Sequence, residues 1–202
     1  GQAGGAGVTT GDENTAVGFQ AGYVLTSGQR NVAVGALSLD ACTVGQYNVA
    51  MGYAALGTEI DGDFSVAVGY NALTTQESDS SGQDIYNVAV GAHAGTSLTT
   101  GIRNTFVGAA SAANATVTGD ENVGVGYLSL YNVTSACCNT AVGTGALYAN
   151  ATGGANTAVG FSSCNLTTGA NNTALGYHTL VSNIGGANST AVGAYALDAN
   201  TT

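Results

Sequence analysis

The feature that most constrains this chain is a pentapeptide that returns at nearly constant spacing. Asn14-Thr15-Ala16-Val17-Gly18 recurs at 31–35, 48–52, 65–69, 87–91, 104–108, 122–126, 139–143, 156–160, 172–176 and 189–193, eleven copies in all. The closing glycines are 16 to 18 residues apart, except for one step of 22 that carries the insertion at 76–81. A period near 17 is too short for the common helical repeats or for a propeller blade. It suits one rung of a solenoid in which each rung stacks on the last. The fold class predicted is all-β: a parallel β-solenoid of about eleven rungs, forming one repeat array over residues 1–202. At about 4.8 Å per rung, the rod is roughly 50 Å long. Both ends of the sequence fall in mid-repeat, so the array is expected to continue or to stack end to end on other subunits.

The columns of the repeat assign directions. The fourth motif residue is Val in nine copies, with Met51 and Leu175 as the others, and is expected to face the core. The second, always Thr or Val, shares that face by the period of two. The third is Ala in all copies but Phe106 and Gly124, and is expected to face the other way. A strand apolar on both faces is covered on both sides, so the small column predicts neighbouring copies of the chain, most simply a homotrimer about a shared axis. Four residues after the motif glycine comes a second core column: Leu39, Leu56, Leu73, Leu130, Leu147, Leu180 and Leu197. A glycine three residues before the motif Asn (Gly11, Gly28, Gly45, Gly62 and their equivalents) is expected to supply a positive φ at a corner. The motif Asn, present in nine copies, is expected to stack as an amide ladder. Pro is absent, consistent with every rung donating to its neighbour.

Composition narrows function. Charged residues are 7% of the chain and the net charge is −10, with Arg30 and Arg103 the only basic residues apart from His93 and His178. A chain with two Arg and no Lys lacks the cations that nucleic-acid binding needs and that docking on an anionic membrane needs. No apolar run approaches the roughly 18 residues of a membrane span.

The run Asn156-Thr157-Ala158-Val159-Gly160-Phe161-Ser162-Ser163 resembles the head repeats of trimeric autotransporter adhesins. Asn139-Thr140-Ala141-Val142-Gly143-Thr144-Gly145-Ala146-Leu147 is similar to repeats of phage and viral tail fibres. The resemblance implies a left-handed parallel β-roll, usually a homotrimer, serving as an extracellular or virion-surface attachment rod. The rung here is longer than in the adhesin heads.

The residue before the motif Asn forms the most informative variable column: Glu13, Arg30, Tyr47, Phe64, Tyr86, Arg103, Glu121 and Cys138. Stacking pairs Glu13 with Arg30 and Arg103 with Glu121, and leaves Tyr47, Phe64 and Tyr86 as an aromatic stripe. That stripe is either a surface for a cell-surface glycan or a ladder stabilising one edge. At the same corner, Glu59, Asp61 and Asp63 form a weak candidate for Ca²⁺; otherwise no cofactor is indicated. Glu59 with Asp63 is also the one carboxylate pair a glycan hydrolase could use. Acceptor sequences for N-glycosylation occur at Asn114, Asn132, Asn150, Asn165, Asn171, Asn188 and Asn200. The spacings of Cys42, Cys137, Cys138 and Cys164 match no zinc or redox motif. His93 and His178 are expected to play surface or packing roles.

The function predicted is a non-enzymatic extracellular fibre subunit, a structural and adhesive rod whose first partner is itself. A tailspike-like glycan hydrolase is the alternative. An ice-binding solenoid using Thr140, Thr157, Thr173 and Thr190 is disfavoured, because those threonines are assigned to the core-facing column.

Overall fold

The computed structural model describes residues 10–80 and 82–200. The outermost residues of the predicted array, 1–9 and 201–202, and Ser81 of the insertion lie outside them. Among the described residues there is one three-residue strand per motif: β1 (Thr15–Val17), β2 (Val32–Val34), β3 (Val49–Met51), β4 (Val66–Val68), β5 (Val88–Val90), β6 (Thr105–Val107), β7 (Val123–Val125), β8 (Thr140–Val142), β9 (Thr157–Val159), β10 (Thr173–Leu175) and β11 (Thr190–Val192). They pair in parallel and in sequence order as one sheet, each rung feeding the next. The register places like on like: Ala16 faces Ala33, Ala33 faces Ala50, and Ala158 faces Ala174. The fold is a parallel β-solenoid, and no described helix is long and apolar enough to cross a membrane.

The phase of the strand is opposite to the one expected. The Ala column is inside, with Ala50, Ala67, Ala89 and Ala141 fully buried. The Val column points out: Val17 is 58% and Val192 66% exposed. The reason is the narrow interior. Each rung faces its strand with the Leu column, where Leu39, Leu56, Leu73, Leu130, Leu147 and Leu180 are fully buried. With Leu filling the space, the strand can send in only a methyl group. The exceptions support this. Phe106 is fully buried, and the Leu column nearby carries Gly95 and Ala112 instead. A Cβ on Gly95 would lie 3.0 Å from the Phe106 ring. A Cβ on Gly124 would meet Ser111 Oγ at 2.7 Å and Ser129 Oγ at 3.0 Å. Large and small side chains thus alternate to keep the interior filled at constant density.

The motif asparagines form the expected ladder. Each described one from Asn31 onward is buried. Asn48 Oδ1 accepts from the backbone N–H of Ser65 at 2.8 Å, and its Nδ2 donates to the Gly62 carbonyl at 2.8 Å. One side chain therefore ties its rung to both the strand and the corner of the next.

The corner glycines serve a different purpose from the one predicted. Gly28, Gly45 and Gly101 do not have positive φ. They are needed for space, since a Cβ on Gly28 would lie 2.4 Å from the Gly45 carbonyl oxygen. Positive φ falls instead on the motif glycines (Gly35 φ 132°, Gly52 137°) and on non-glycine columns, including the ladder column itself (Arg30 φ 57°, Tyr47 58°, Phe64 60°) and the core leucines (Leu39 50°, Leu56 50°). At the non-glycine positions such backbone costs about 1–2 kcal/mol per residue, and it persists here because stacking on both sides over-determines each rung.

Candidate functional site

The outward face of the sheet runs along the whole described rod. Three columns project from it: the Thr/Val column, the Val column and the residue after the motif glycine. No charged residue occurs in any of the three. Met51, Val90 and Leu175 are 42%, 38% and 48% exposed. The third column carries Phe19, Tyr53, Tyr70, Tyr127, Phe161 and Tyr177, all exposed. Tyr53 stacks on Tyr70 at 5.5 Å, and Phe161 on Tyr177 at 5.5 Å. His93 packs edge-on against Tyr70, and His178 lies among Phe161, Tyr177 and Tyr195. Over eleven rungs this face is about 50 Å long and about 13 Å wide, given the strand rise and rung spacing. Sequence reasoning missed it by sending the valines inward. The available signal was the Phe and Tyr recurring one place after the motif glycine, on the same side by alternation.

The ladder edge forms as predicted in its pairings. Arg30 Nε bonds Glu13 at 2.6 Å, and Arg103 Nε bonds Glu121 at 3.0 Å. Both pairs are about half exposed and contribute little stability. The Arg30 guanidinium also donates to the Tyr47 hydroxyl and lies 5.3 Å from its ring centre. Tyr47 and Phe64 are parallel at 4.8 Å, and Phe64 and Tyr86 follow at 5.2 Å. The rings face one another, so both faces of Phe64 are taken and one face of Tyr47 is turned to Phe64. The stripe presents ring edges and hydroxyls to solvent, with Tyr86 Oη donating to Asp84 at 3.1 Å. Within the stripe the rings therefore stabilise one another, and a sugar could not stack on Phe64 without displacing a neighbouring ring.

The acidic corner separates into inner and outer groups. Glu59 is fully buried. Its Oε1 accepts from the Gly62 N–H at 2.8 Å and the Asp61 N–H at 3.3 Å, and its Oε2 from Gln76 Nε2 at 2.9 Å. Asp63 is nearly buried and accepts from the Gln46 N–H at 2.6 Å. Burial first, then the nearby carboxylates of Asp84, Glu59 and Asp61, push its carboxyl above the usual range. Asp61 lies outside and accepts from the Ser78 hydroxyl. Among the described residues no group of three or more His, Cys, Asp or Glu side chains is placed to hold a metal ion. Glu59, with no exposed surface, is out of reach of any substrate in this fold.

The glycosylation candidates fall into two sets. Asn150 is fully buried, with its amide bonded to Gly153 on both sides. Asn114 Nδ2 donates to Asn132, Asn132 Nδ2 to the Tyr148 carbonyl, Asn165 Nδ2 to the Gly145 carbonyl and Asn200 Nδ2 to Asn183. Asn171 and Asn188 are exposed in the ladder column, at φ 59° and 57°. Asn tolerates that conformation better than most residues, which gives them a structural reason to be there.

The four cysteines are free thiols. Cys42 and Cys164 are buried, and burial raises them to about 12 and about 11. Cys137 and Cys138 are exposed.

The fold and this face define a class, the β-solenoid repeat proteins. Compared with known proteins, the chain matches no family model, no curated protein and no solved structure.

Proposed function

We propose that this chain is a rod segment of an extracellular fibre, without catalytic activity, that associates with copies of itself through the outward valine face. The observation carrying this reading is that face: free of charge, continuous over eleven rungs and built mainly from Val, Thr, Ala and aromatic side chains. Monomeric proteins rarely expose an apolar patch larger than about 300–600 Å², and a strip of the dimensions above reaches the top of that range. It approaches the roughly 800 Å² that each partner contributes to a standard interface. A parallel homotrimer with the faces turned to a shared axis covers every copy equivalently. The extracellular setting, the left-handed coil and the attachment role are supported by the resemblance of 156–163 and 139–147 to adhesin-head and tail-fibre repeats. Light scattering on the folded chain is expected to give three times the monomer mass. Val68→Glu with Val107→Glu is expected to reduce it to one while the β signal remains. A monomeric wild-type chain would overturn the reading.

A second reading has an observation of its own. Thr157, Thr173 and Thr190 are exposed and Thr140 half-exposed on the outward face, so these threonines do not face the core. Four threonines in register on a flat, rigid sheet present a regular hydroxyl and methyl array of the kind ice-binding solenoids use. Thermal hysteresis of the purified chain tests it, and its absence removes the reading. The fibre reading is preferred because the same column is Val on five of the first seven rungs and aromatic rings border the face.

A further inference from the structure

Adjacent residues in a strand point to opposite sides. Cys137 and Cys138 do not. Cys138 occupies the left-handed corner of its rung, at φ 63°, and this brings both sulfurs to one side with Sγ atoms 3.2 Å apart. Stacking holds the pair in place. The Cys138 N–H donates to the Asp120 carbonyl at 3.1 Å, and the Cys137 carbonyl accepts from Ala155 N–H at 3.0 Å. The space around the sulfurs is open because the next rung carries Gly154 and Ala155 there. A Cβ on Gly154 would come within 3.8 Å of Cys137 Sγ. Elsewhere this column carries the larger Arg, Tyr, Phe, Glu and Asn. Above, Glu121 lies 3.8 Å from Cys138 Sγ and is engaged by Arg103.

We infer that Cys137 and Cys138 form a two-thiol chelating site for trivalent arsenic. The geometry selects the ligand. Structural zinc takes four ligands, and at about 2.3 Å per Zn–S bond its tetrahedral sulfurs are about 3.8 Å apart. Here two sulfurs are closer than that; the neighbouring Glu121 is engaged by Arg103, and among the described residues no group of three or more His, Cys, Asp or Glu is placed to hold a metal ion. A pyramidal trivalent centre, with bond angles near a right angle, closes over two sulfurs at such a spacing. The reaction is a condensation without redox change. An organoarsenic(III) oxide loses its oxygen, two S–H bonds break, two As–S bonds form, and oxygen and both protons leave as one water. The Cys138 thiol, raised to about 11 chiefly by its hydrogen bond with Cys137, is held as S–H at neutral pH. It therefore brings to the condensation the proton that departs in water.

The test uses the full chain, kept reduced with a phosphine, and phenylarsine oxide as probe. The intact mass is expected to show one adduct per chain, heavier by the arsenical less one water, for the wild type and for Cys42→Ser with Cys164→Ser. This adduct is expected to survive a monothiol concentration that strips any adduct from Cys137→Ala or Cys138→Ala, and to be released by a dithiol. On the wild-type chain alone, probe binding is expected to protect Cys137 and Cys138 from alkylation in a peptide map, which keeps the test independent of how variants fold. An adduct that persists in the Cys137→Ala with Cys138→Ala variant, a wild-type adduct lost to monothiol, or unprotected Cys137 and Cys138 would each overturn the proposal.

Discussion

The side-chain amide of Asn31 holds the next rung at two points: its Nδ2 donates to the Gly45 carbonyl at 2.8 Å, and its Oδ1 accepts from the Asn48 N–H at 2.9 Å. The relationship repeats along the rod, so one ladder fixes both strand and corner. Asn48→Ala removes the same two bonds one rung further on and leaves a buried N–H and a buried carbonyl unpaired. Each unpaired group costs about 1–3 kcal/mol, so a total loss of about 2–6 kcal/mol is expected. It should be read as a lower denaturant midpoint and as faster hydrogen exchange at the Ser65 amide. Gly45→Ala is expected to do comparable damage from the other side, because its Cβ would lie 2.6 Å from the Gly62 carbonyl oxygen and 3.1 Å from Asn48 Nδ2.

At Ser65, one of the two rungs where the ladder lacks an Asn, the insertion fills the gap. Ser65 replaces Asn, and Gln76 places its amide beside it: Gln76 Nε2 donates to Ser65 Oγ at 2.9 Å and to Glu59 Oε2 at 2.9 Å, while its Oε1 accepts from Asn87 Nδ2 at 3.0 Å. The insertion thus supplies the missing amide and the partner of a buried carboxylate. Gln76→Leu is expected to cost about 1.5–3 kcal/mol, the range for hydrogen bonds to charged groups. A double-mutant cycle with Glu59→Ala should show coupling above about 0.5 kcal/mol, and additive losses would contradict the network.

Much of this was legible in the sequence. The period, the Leu column, the Asn ladder and the pairs of Arg30 with Glu13 and Arg103 with Glu121 all follow from stacking like on like. What was not legible was phase. Alternation says that Ala and Val point to opposite faces but not which is inside, and the larger side chain is the natural choice for a core. The answer depends on how much room the Leu column leaves, a property of the closed rung. The left-handed backbone at Leu39 and Arg30 was hidden for a related reason, since sequence cues mark glycine and not the stacking that enforces such angles. The juxtaposition of Cys137 and Cys138 rests on the same corner.

The exchange of volume between Phe106 and Gly95 can be tested directly. Phe106→Ala opens a cavity in a fully buried site, and Phe to Ala costs about 3–5 kcal/mol in such positions. Gly95 has φ 58°, close to the leucines of its own column at about 50°, so a Leu there needs no new backbone conformation. Gly95→Leu alone is expected to destabilise, because its Cβ would sit 3.0 Å from the Phe106 ring and 2.8 Å from Leu73 Cδ2. The double variant is expected to be more stable than Phe106→Ala by at least about 1 kcal/mol. Denaturant midpoints of the four proteins decide it. A double variant no more stable than Phe106→Ala would contradict the alternation.

Asp63 gives the rod a pH dependence of defined sign. Burial first, then Asp84, Glu59 and Asp61, raise its carboxyl above the ordinary range, opposed by its bond from the Gln46 N–H. The fold therefore favours the protonated form. The stabilisation is complete below the unfolded value of about 3.9 and is lost as pH rises through the higher folded value. At neutral pH the charge weakens the rod. Asp63→Asn removes that charge and keeps an acceptor for Gln46, so it is expected to melt higher than wild type at pH 7, with the gap closing as pH falls below the ordinary aspartate range. Asp40 is raised by burial as well, so a smaller slope of the same sign should remain in the variant. Melting curves of both proteins across acid to neutral pH provide the check, and a gap independent of pH would show that Asp63 does not titrate as the fold implies.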